Sequence, residues 1–294
     1  MTAAPSHPIG AHIPASGGLA RTGLPYLAKI GATAAQVFVS NPRGWALSSG
    51  NPAEDEAFRA HCETAGIPVF VHASLLVNLG SPTALTVERS AATLLHAAER
   101  AQRIGASAVV FHSGSAVAGT RRDAAMAQLR EVLLPILDSL DKLGDEAPSL
   151  LVEPTAGGGF SLAAKVGDLG PFFEAVDHHP RLGVCLDTCH AWAAGHDLTA
   201  PGGTKEMLDD LAGAVGTGRL RLIHANDSKD PCGSLRDRHE NVGAGQIGLE
   251  PFGDLFTHPE VRGVPLIVET PSHTEGAGHI ADITSLRGLL AQLG

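Results

Sequence analysis

Eight short, almost continuously apolar runs punctuate this chain, and longer stretches with apolar residues at three-to-four spacing lie between them. The runs are Ile9–Ile13, Gln36–Val39, Val69–His72, Ala108–His112, Leu150–Glu153, Leu182–Asp187, Leu220–Ala225 and Pro265–Glu269. Strands that alternate apolar and polar residues face water on one side; runs like these fit parallel strands covered on both faces. Between them, Thr86–Ile104 carries Val87, Ala91, Leu94, Leu95, Ala98, Ala101 and Ile104 on one broad helical face, and Asp123–Leu143, Leu169–Val176 and Ile283–Leu293 read in the same way. Eight strand–helix units predict a closed (β/α)8 barrel, with an open doubly wound sheet as the alternative. The 294 residues suit one such barrel as a single domain over 1–294, since this fold typically takes about 250 residues. No Pro/Ser/Gly-rich linker divides the chain into zones of different composition.

Composition agrees with a large buried core: 44% of residues are hydrophobic and 18% charged, with few aromatics. No run reaches the length and apolarity of a membrane span, and the first ten residues show no signal-peptide pattern. Cys62, Cys185, Cys189 and Cys232 form no C-x-x-C pair, so a reducing cytoplasm is the expected setting, with Cys185 a small buried hydrophobe. A formal charge of −10 argues at first against a nucleic-acid partner. Three divalent ions held by the carboxylates would reduce it to about −4 and concentrate positive charge in one place.

The chemistry lies where the strands end. The third run ends at His72, the fourth at His112, the fifth at Glu153, the sixth at Asp187 and the eighth at Glu269, while His224 lies near the end of the seventh. A barrel directs all of these into the mouth at its C-terminal face, where catalytic sites of this fold sit. One His at a strand end is commonplace, but six successive strands ending in His, Asp or Glu form a ring of acids that needs cations. Asp187-Thr-Cys-His190 adds a donor one helical turn on, and Asp237-Arg-His239 adds two more in the next loop. Nine His and carboxylate donors suffice for three ions if one carboxylate bridges, and a thiolate-free set suits zinc or manganese in an open catalytic site.

Gly10-Ala-His-Ile, Ser40-Asn-Pro-Arg-Gly-Trp45, Leu186-Asp-Thr-Cys-His-Ala-Trp-Ala-Ala-Gly195, His224-Ala-Asn-Asp-Ser-Lys229 and Asp237-Arg-His-Glu-Asn-Val-Gly-Ala-Gly-Gln-Ile-Gly248 resemble the signatures of the endonuclease IV family of abasic-site endonucleases. The resemblance runs from about Ile9 to the final helix. It implies a (β/α)8 barrel with three zinc ions. His72, His112 and Glu153 hold the first, Glu153 bridges to a second completed by Asp187, His224 and Glu269, and His190, Asp237 and His239 hold the third. It also implies hydrolysis of the phosphodiester 5′ to an abasic site in double-stranded DNA, Glu153 and Glu269 serving catalysis, with removal of blocked 3′ ends as a secondary activity of what is expected to be a monomer. Arg43 resembles the family's groove-entering arginine; Lys229 and Arg238 are candidate phosphate contacts. Leu75 stands where the family usually has a tyrosine, and is expected at the mouth as an apolar wedge without a stacking ring. Pro154 replaces the usual polar residue after Glu153.

Gly243-Ala-Gly-Gln-Ile-Gly248 matches G-x-G-x-x-G, but it follows a loop motif rather than a strand, so no nucleotide cofactor is expected and a flexible loop beside the site is. Gly157-Gly-Gly159 reads as a strand-to-helix loop. Two other functions compete. A sugar isomerase or epimerase on the same barrel would keep Glu153, Asp187, His224 and Glu269 but has no use for His190 and Asp237-Arg-His239. A non-catalytic zinc-bearing binder of damaged DNA has no use for a complete ligand set.

Overall fold

The computed structural model describes residues 7–272 and 274–293. Eight parallel strands close into a barrel: β1 (Ile9–His12), β2 (Ala35–Phe38), β3 (Val69–His72), β4 (Ala108–His112), β5 (Ser149–Glu153), β6 (Leu182–Asp187), β7 (Leu220–His224) and, after a two-stranded antiparallel hairpin of β8 (Asp227–Ser228) with β9 (His239–Glu240), β10 (Leu266–Val268). β10 pairs with both β7 and β1, which leaves no free edge. The open-sheet alternative is thereby set aside. Helices cover the outside, among them Pro52–Ala65, Ala84–Arg103, Arg122–Lys142, Leu169–Ala175, Gly203–Val215 and Ala277–Leu293. No described helix is long and apolar enough to cross a membrane.

Element ends differ from the sequence expectation by a few residues. The last helix starts at Ala277 rather than Ile283, and β10 stops at Val268, one residue before Glu269. The helix Pro52–Ala65 starts at a cap rather than at an apolar position: Asn51 accepts from Ala53 N at 3.0 Å and Glu54 N at 3.3 Å.

Two cores follow from the two-residue period of a strand. The larger lies between strands and helices and contains Phe58, Leu94, Leu129, Phe172, Phe252 and Leu286. Burying such a side chain contributes roughly 1.5–3 kcal/mol. The smaller plugs the barrel and consists of Ala34, Phe70, Ala108, Val110, Leu151, Cys185, Leu222 and Ile267. Two residues further along each strand comes the next inward position. Phe70 leads to His72, Val110 to His112, Leu151 to Glu153, Cys185 to Asp187, Leu222 to His224 and Ile267 to Glu269. The same step takes Gly10 to His12 and Ala34 to Gln36. Every barrel strand therefore contributes one polar side chain to the layer above the plug. Pairing keeps that layer level, with His112 opposite Glu153 and Asp187 opposite His224.

Candidate metal centre

Glu153, at 0% exposure, is the centre of the layer. Its Oε2 lies 3.3 Å from His72 Nε2 and 3.6 Å from His112 Nε2; its Oε1 lies 3.1 Å from His224 Nδ1. His224 Nδ1 is also 3.2 Å from Glu269 Oε2 and 3.9 Å from Asp187 Oδ2. Asp187 Oδ2 continues to His239 Nε2 at 3.4 Å, and Asp237 reaches both His239 Nε2 at 3.0 Å and His190 Nε2 at 3.2 Å. All nine residues singled out as ligands thus meet in one connected cluster. Donor atoms of His72, His112 and Glu153 lie within 4.8 Å of one another, as do those of Glu153, Asp187, His224 and Glu269, and those of Asp187, His190 and His239.

The secondary structure beyond the strands carries the third group. Asp187 caps the short helix Thr188–Ala193 by accepting from His190 N at 3.0 Å, which turns His190 back over the barrel mouth. His239 comes from β9, held antiparallel to β8. Asn226 bonds Asp187 Oδ2 through its Nδ2 at 2.7 Å and accepts from Glu269 N at 2.8 Å, so one buried amide orients two of the carboxylates.

The hydrogen bonds of the imidazoles test whether these residues fit metal ions. His72 Nδ1 donates to Ala73 O at 2.8 Å, His190 Nδ1 to Pro154 O at 3.0 Å and His239 Nδ1 to Glu269 O at 3.2 Å; His224 Nε2 donates to Gln36 Oε1 at 2.9 Å. In each ring the outer nitrogen is held by an acceptor and the inner one faces carboxylates, the arrangement that fixes the tautomer of a metal-ligating histidine. The buried Nε2 atoms of His190 and His239 face Asp237 at 3.2 and 3.0 Å but without hydrogen-bond geometry, and no other described residue bonds them. Buried polar atoms are rarely orphaned, so the donor set fits bound cations.

Electrostatics point the same way. Burial works against ionisation of Glu153, yet His224, His190 and His72 around it hold its carboxyl well below the usual carboxylate range. Glu269 is depressed against the same burial by His224 and His12, and Asp237 by His190 and His239. Burial pushes His112 down to about 4, whereas the carboxylates Asp187 and Asp237 overcome burial to lift His239 to about 9. Carboxylates and imidazoles thus stabilise each other's charged forms, His190 and His224 being raised well above the ordinary histidine value in spite of burial, and bound cations would take the place of those protons. Burial raises the thiols of Cys185 and Cys189 to about 12, which keeps them protonated beside the site.

His12 and Gln36 belong to the site and carry no role in the sequence reading. Gln36 Nε2 donates to Glu269 Oε1 at 2.6 Å while its Oε1 holds His224, and His12 Nδ1 lies 3.3 Å from Glu269 Oε1. By apolar pattern Gln36 is merely the start of a strand rather than an inward position two residues beyond Ala34, and His12 stands out only as part of a motif.

A cavity of about 460 Å³ opens over the cluster, with Arg43 and Leu75 on its wall. Leu75 is 43% exposed, and its N–H donates to Pro42 O at 3.0 Å, which ties its loop to the one bearing Arg43. Arg238 is half-exposed, with its guanidinium on Asp230 (Nε to Oδ2 2.6 Å), and Lys229 Nζ stands 3.9 Å from Glu240. The expectation of a flexible 243–248 loop is corrected. Asp227, fully buried, accepts backbone N–H bonds from Ser228, Gly243, Gly245, Ile247 and Gly248 at 2.7–3.2 Å, so the loop is wrapped around a carboxylate. Its glycines serve close approach: a Cβ on Gly245 would come within 2.5 Å of Asp227 Oδ1.

Comparison with known proteins accords with this geometry. A family model described as "Xylose isomerase-like TIM barrel" matches residues 24–289. A protein of Streptomyces coelicolor named "Probable endonuclease 4" is 55% identical over 285 residues, covering 97% of this chain and 96% of that one. The crystal structure of endonuclease IV from Thermus thermophilus superimposes with a TM-score of 0.82 at 35% identity, covering 97% of this chain and 99% of that one. A D-tagatose 3-epimerase-like protein shares the fold, with a TM-score of 0.72 and 16% identity over 98% of this chain and 100% of that one. Barrel and family model are common to sugar-handling and nucleic-acid-cutting enzymes, but identity over full length is not: the chain belongs to the endonuclease IV family.

Proposed function

We propose that this protein is a DNA-repair nuclease that hydrolyses the phosphodiester 5′ to an abasic site in duplex DNA, using three zinc ions. The observation that carries the reading is the third group, His190, Asp237 and His239, assembled beside the strand-end cluster by a helix turn and a hairpin that a one- or two-ion sugar isomerase does not need. His72, His112 and Glu153 would hold one ion, Glu153, Asp187, His224 and Glu269 a second, and His190, Asp237 and His239 the third. Bound ions of this kind lower the pKa of water and neutralise charge on phosphoryl oxygens.

The residues supply the rest. Water oxygen bonds to phosphorus, the bond from phosphorus to the 3′-oxygen breaks, that oxygen takes a proton from solvent, and the products are a 3′-hydroxyl and a 5′-deoxyribose phosphate. Glu269, with Oε2 toward His224 and Oε1 steadied by Gln36 and His12, orients the water and takes its proton. Arg43 enters the groove, and Lys229 and Arg238 serve as phosphate contacts once released from Glu240 and Asp230. A sugar without a base is flipped from the stack at lower cost than an intact nucleotide, which selects the lesion. A blocked 3′ end presents the same phosphodiester chemistry, so its removal is a second activity of the monomer. Four free cysteines suit a reducing cytoplasm.

Zinc content and strand cleavage on one preparation test this. About three zinc ions per chain and incision of an abasic duplex with a 3′-hydroxyl product are expected. A stoichiometry of one at full activity, or sugar isomerisation without cleavage, overturns it. Leu75 gives a narrower test. Its exposed position on the cavity wall leaves room for a larger side chain, so Leu75→Tyr is expected to tighten abasic-duplex binding roughly tenfold at matched salt, with less effect on cleavage of bound substrate. Unchanged affinity would remove Leu75 from the interface.

A further inference from the structure

Three loops on the strand-end face hold large apolar residues in a conformation that disfavours them. Val117, Phe160 and Leu235 have φ of 66°, 65° and 56° and are 54%, 57% and 53% exposed. A β-carbon crowds the backbone in this left-handed region, most severely for branched or bulky side chains. Burial offsets only part of the strain here, because each residue is more than half exposed even though Leu235 rests on Gly157 and the Phe160 ring on Gly119. Among the described residues, Phe160 is the one Phe, Tyr or Trp that is exposed.

These loops are locked to each other and to the loop of Leu75. Ser115 N donates to Asn78 Oδ1 at 2.9 Å, Ala116 N to Phe160 O at 3.0 Å, and Arg122 reaches Ser161 O and Leu162 O at 2.9 and 2.8 Å. Leu235 lies over Gly157, where a Cβ would come within 2.8 Å of its Cδ2. The loop of Val117 is thus tied to those of Leu75 and Phe160, and Leu235 packs on the Phe160 loop. Lys165 is exposed on the Phe160 loop, and Arg236, with its side chain 67% exposed, adjoins Leu235 and stands 3.6 Å from Asp230 Oδ1. A rigid apolar ridge flanked by cations matches an opened duplex, with bases to stack on and phosphates to either side.

We propose that this ridge is a second arm of the DNA-binding surface and that the Phe160 ring stacks on a base left unpaired at the lesion, supplying the aromatic contact that Leu75 cannot. The inference rests on the reading of the protein as an abasic-site nuclease. Strain and binding make opposite demands on position 160, and the test uses that opposition. Phe160→Asn relieves the left-handed backbone, so its thermal midpoint is expected to rise while affinity for an abasic duplex falls roughly tenfold. Phe160→Ala is expected to lose affinity equally, Phe160→Trp to keep it, and the salt dependence of binding to stay constant because no charge changes. With 2-aminopurine opposite the abasic site, the fluorescence change on binding should shrink in the Ala and Asn variants. Wild-type affinity in both of those variants would overturn the role of Phe160, as would a fall in affinity that merely tracks a lowered midpoint. Failure of the unaltered protein to prefer or cut abasic DNA would instead overturn the function on which the inference rests.

Discussion

Glu269→Gln is expected to lower single-turnover cleavage of an abasic duplex about a thousandfold while leaving the fold and the dissociation constant for that duplex nearly unchanged. The substitution is isosteric, and an amide oxygen can still accept the hydrogen bond that Gln36 Nε2 gives to Oε1 at 2.6 Å. What disappears is the negative charge that His224 and His12 maintain in spite of burial. A neutral amide neither takes a proton from water nor opposes the positive charge of the centre. Zinc measured on the same sample separates loss of a base from loss of an ion. Cleavage within a few-fold of the unaltered protein, at full zinc content, would remove Glu269 from proton transfer.

The second large effect is on architecture. Asp227→Ala is expected to lower stability by about 4 kcal/mol, because five backbone N–H groups that converge on one buried carboxylate lose their acceptor together. In a protein of this size that is a fall of roughly 10 °C in Tm. Asp227 also begins β8, the partner of the strand that carries His239. Of the three zinc ions proposed above, the variant should therefore retain about two. Thermal unfolding with metal analysis checks both, and an unchanged Tm would show that the loop holds its shape without Asp227.

These two residues also show what the sequence discloses. Glu269 is legible because a carboxylate at the end of an apolar run stands out once five other strands carry His, Asp or Glu at or near their ends. His12 and Gln36 obey the same inward rule, but that rule needs the register, and a one-residue error in where β2 begins turns Gln36 from a site residue into a strand edge. Asp187-Thr-Cys-His190 and Asp237-Arg-His239 are legible as ligand spacings, since a helix turn and an extended pair each have a fixed reach. Asp227 is hidden by its neighbours. In Asn226-Asp-Ser-Lys229 it reads as loop polarity, and only tertiary structure brings the 243–248 segment around it. That segment reads as loose in the sequence because glycine permits both looseness and close packing, and composition does not distinguish the two.

The division of labour between strands and excursions has a consequence for descent. Six of the proposed ligands stand on barrel positions set by the two-residue period of the strands, while His190, Asp237 and His239 hang from one helical turn and one hairpin that leave the barrel core untouched. A lineage could gain or shed that appendage without disturbing the scaffold beneath it. A short excursion at the rim can in this way add three donors to a barrel mouth without any repacking of the core beneath it.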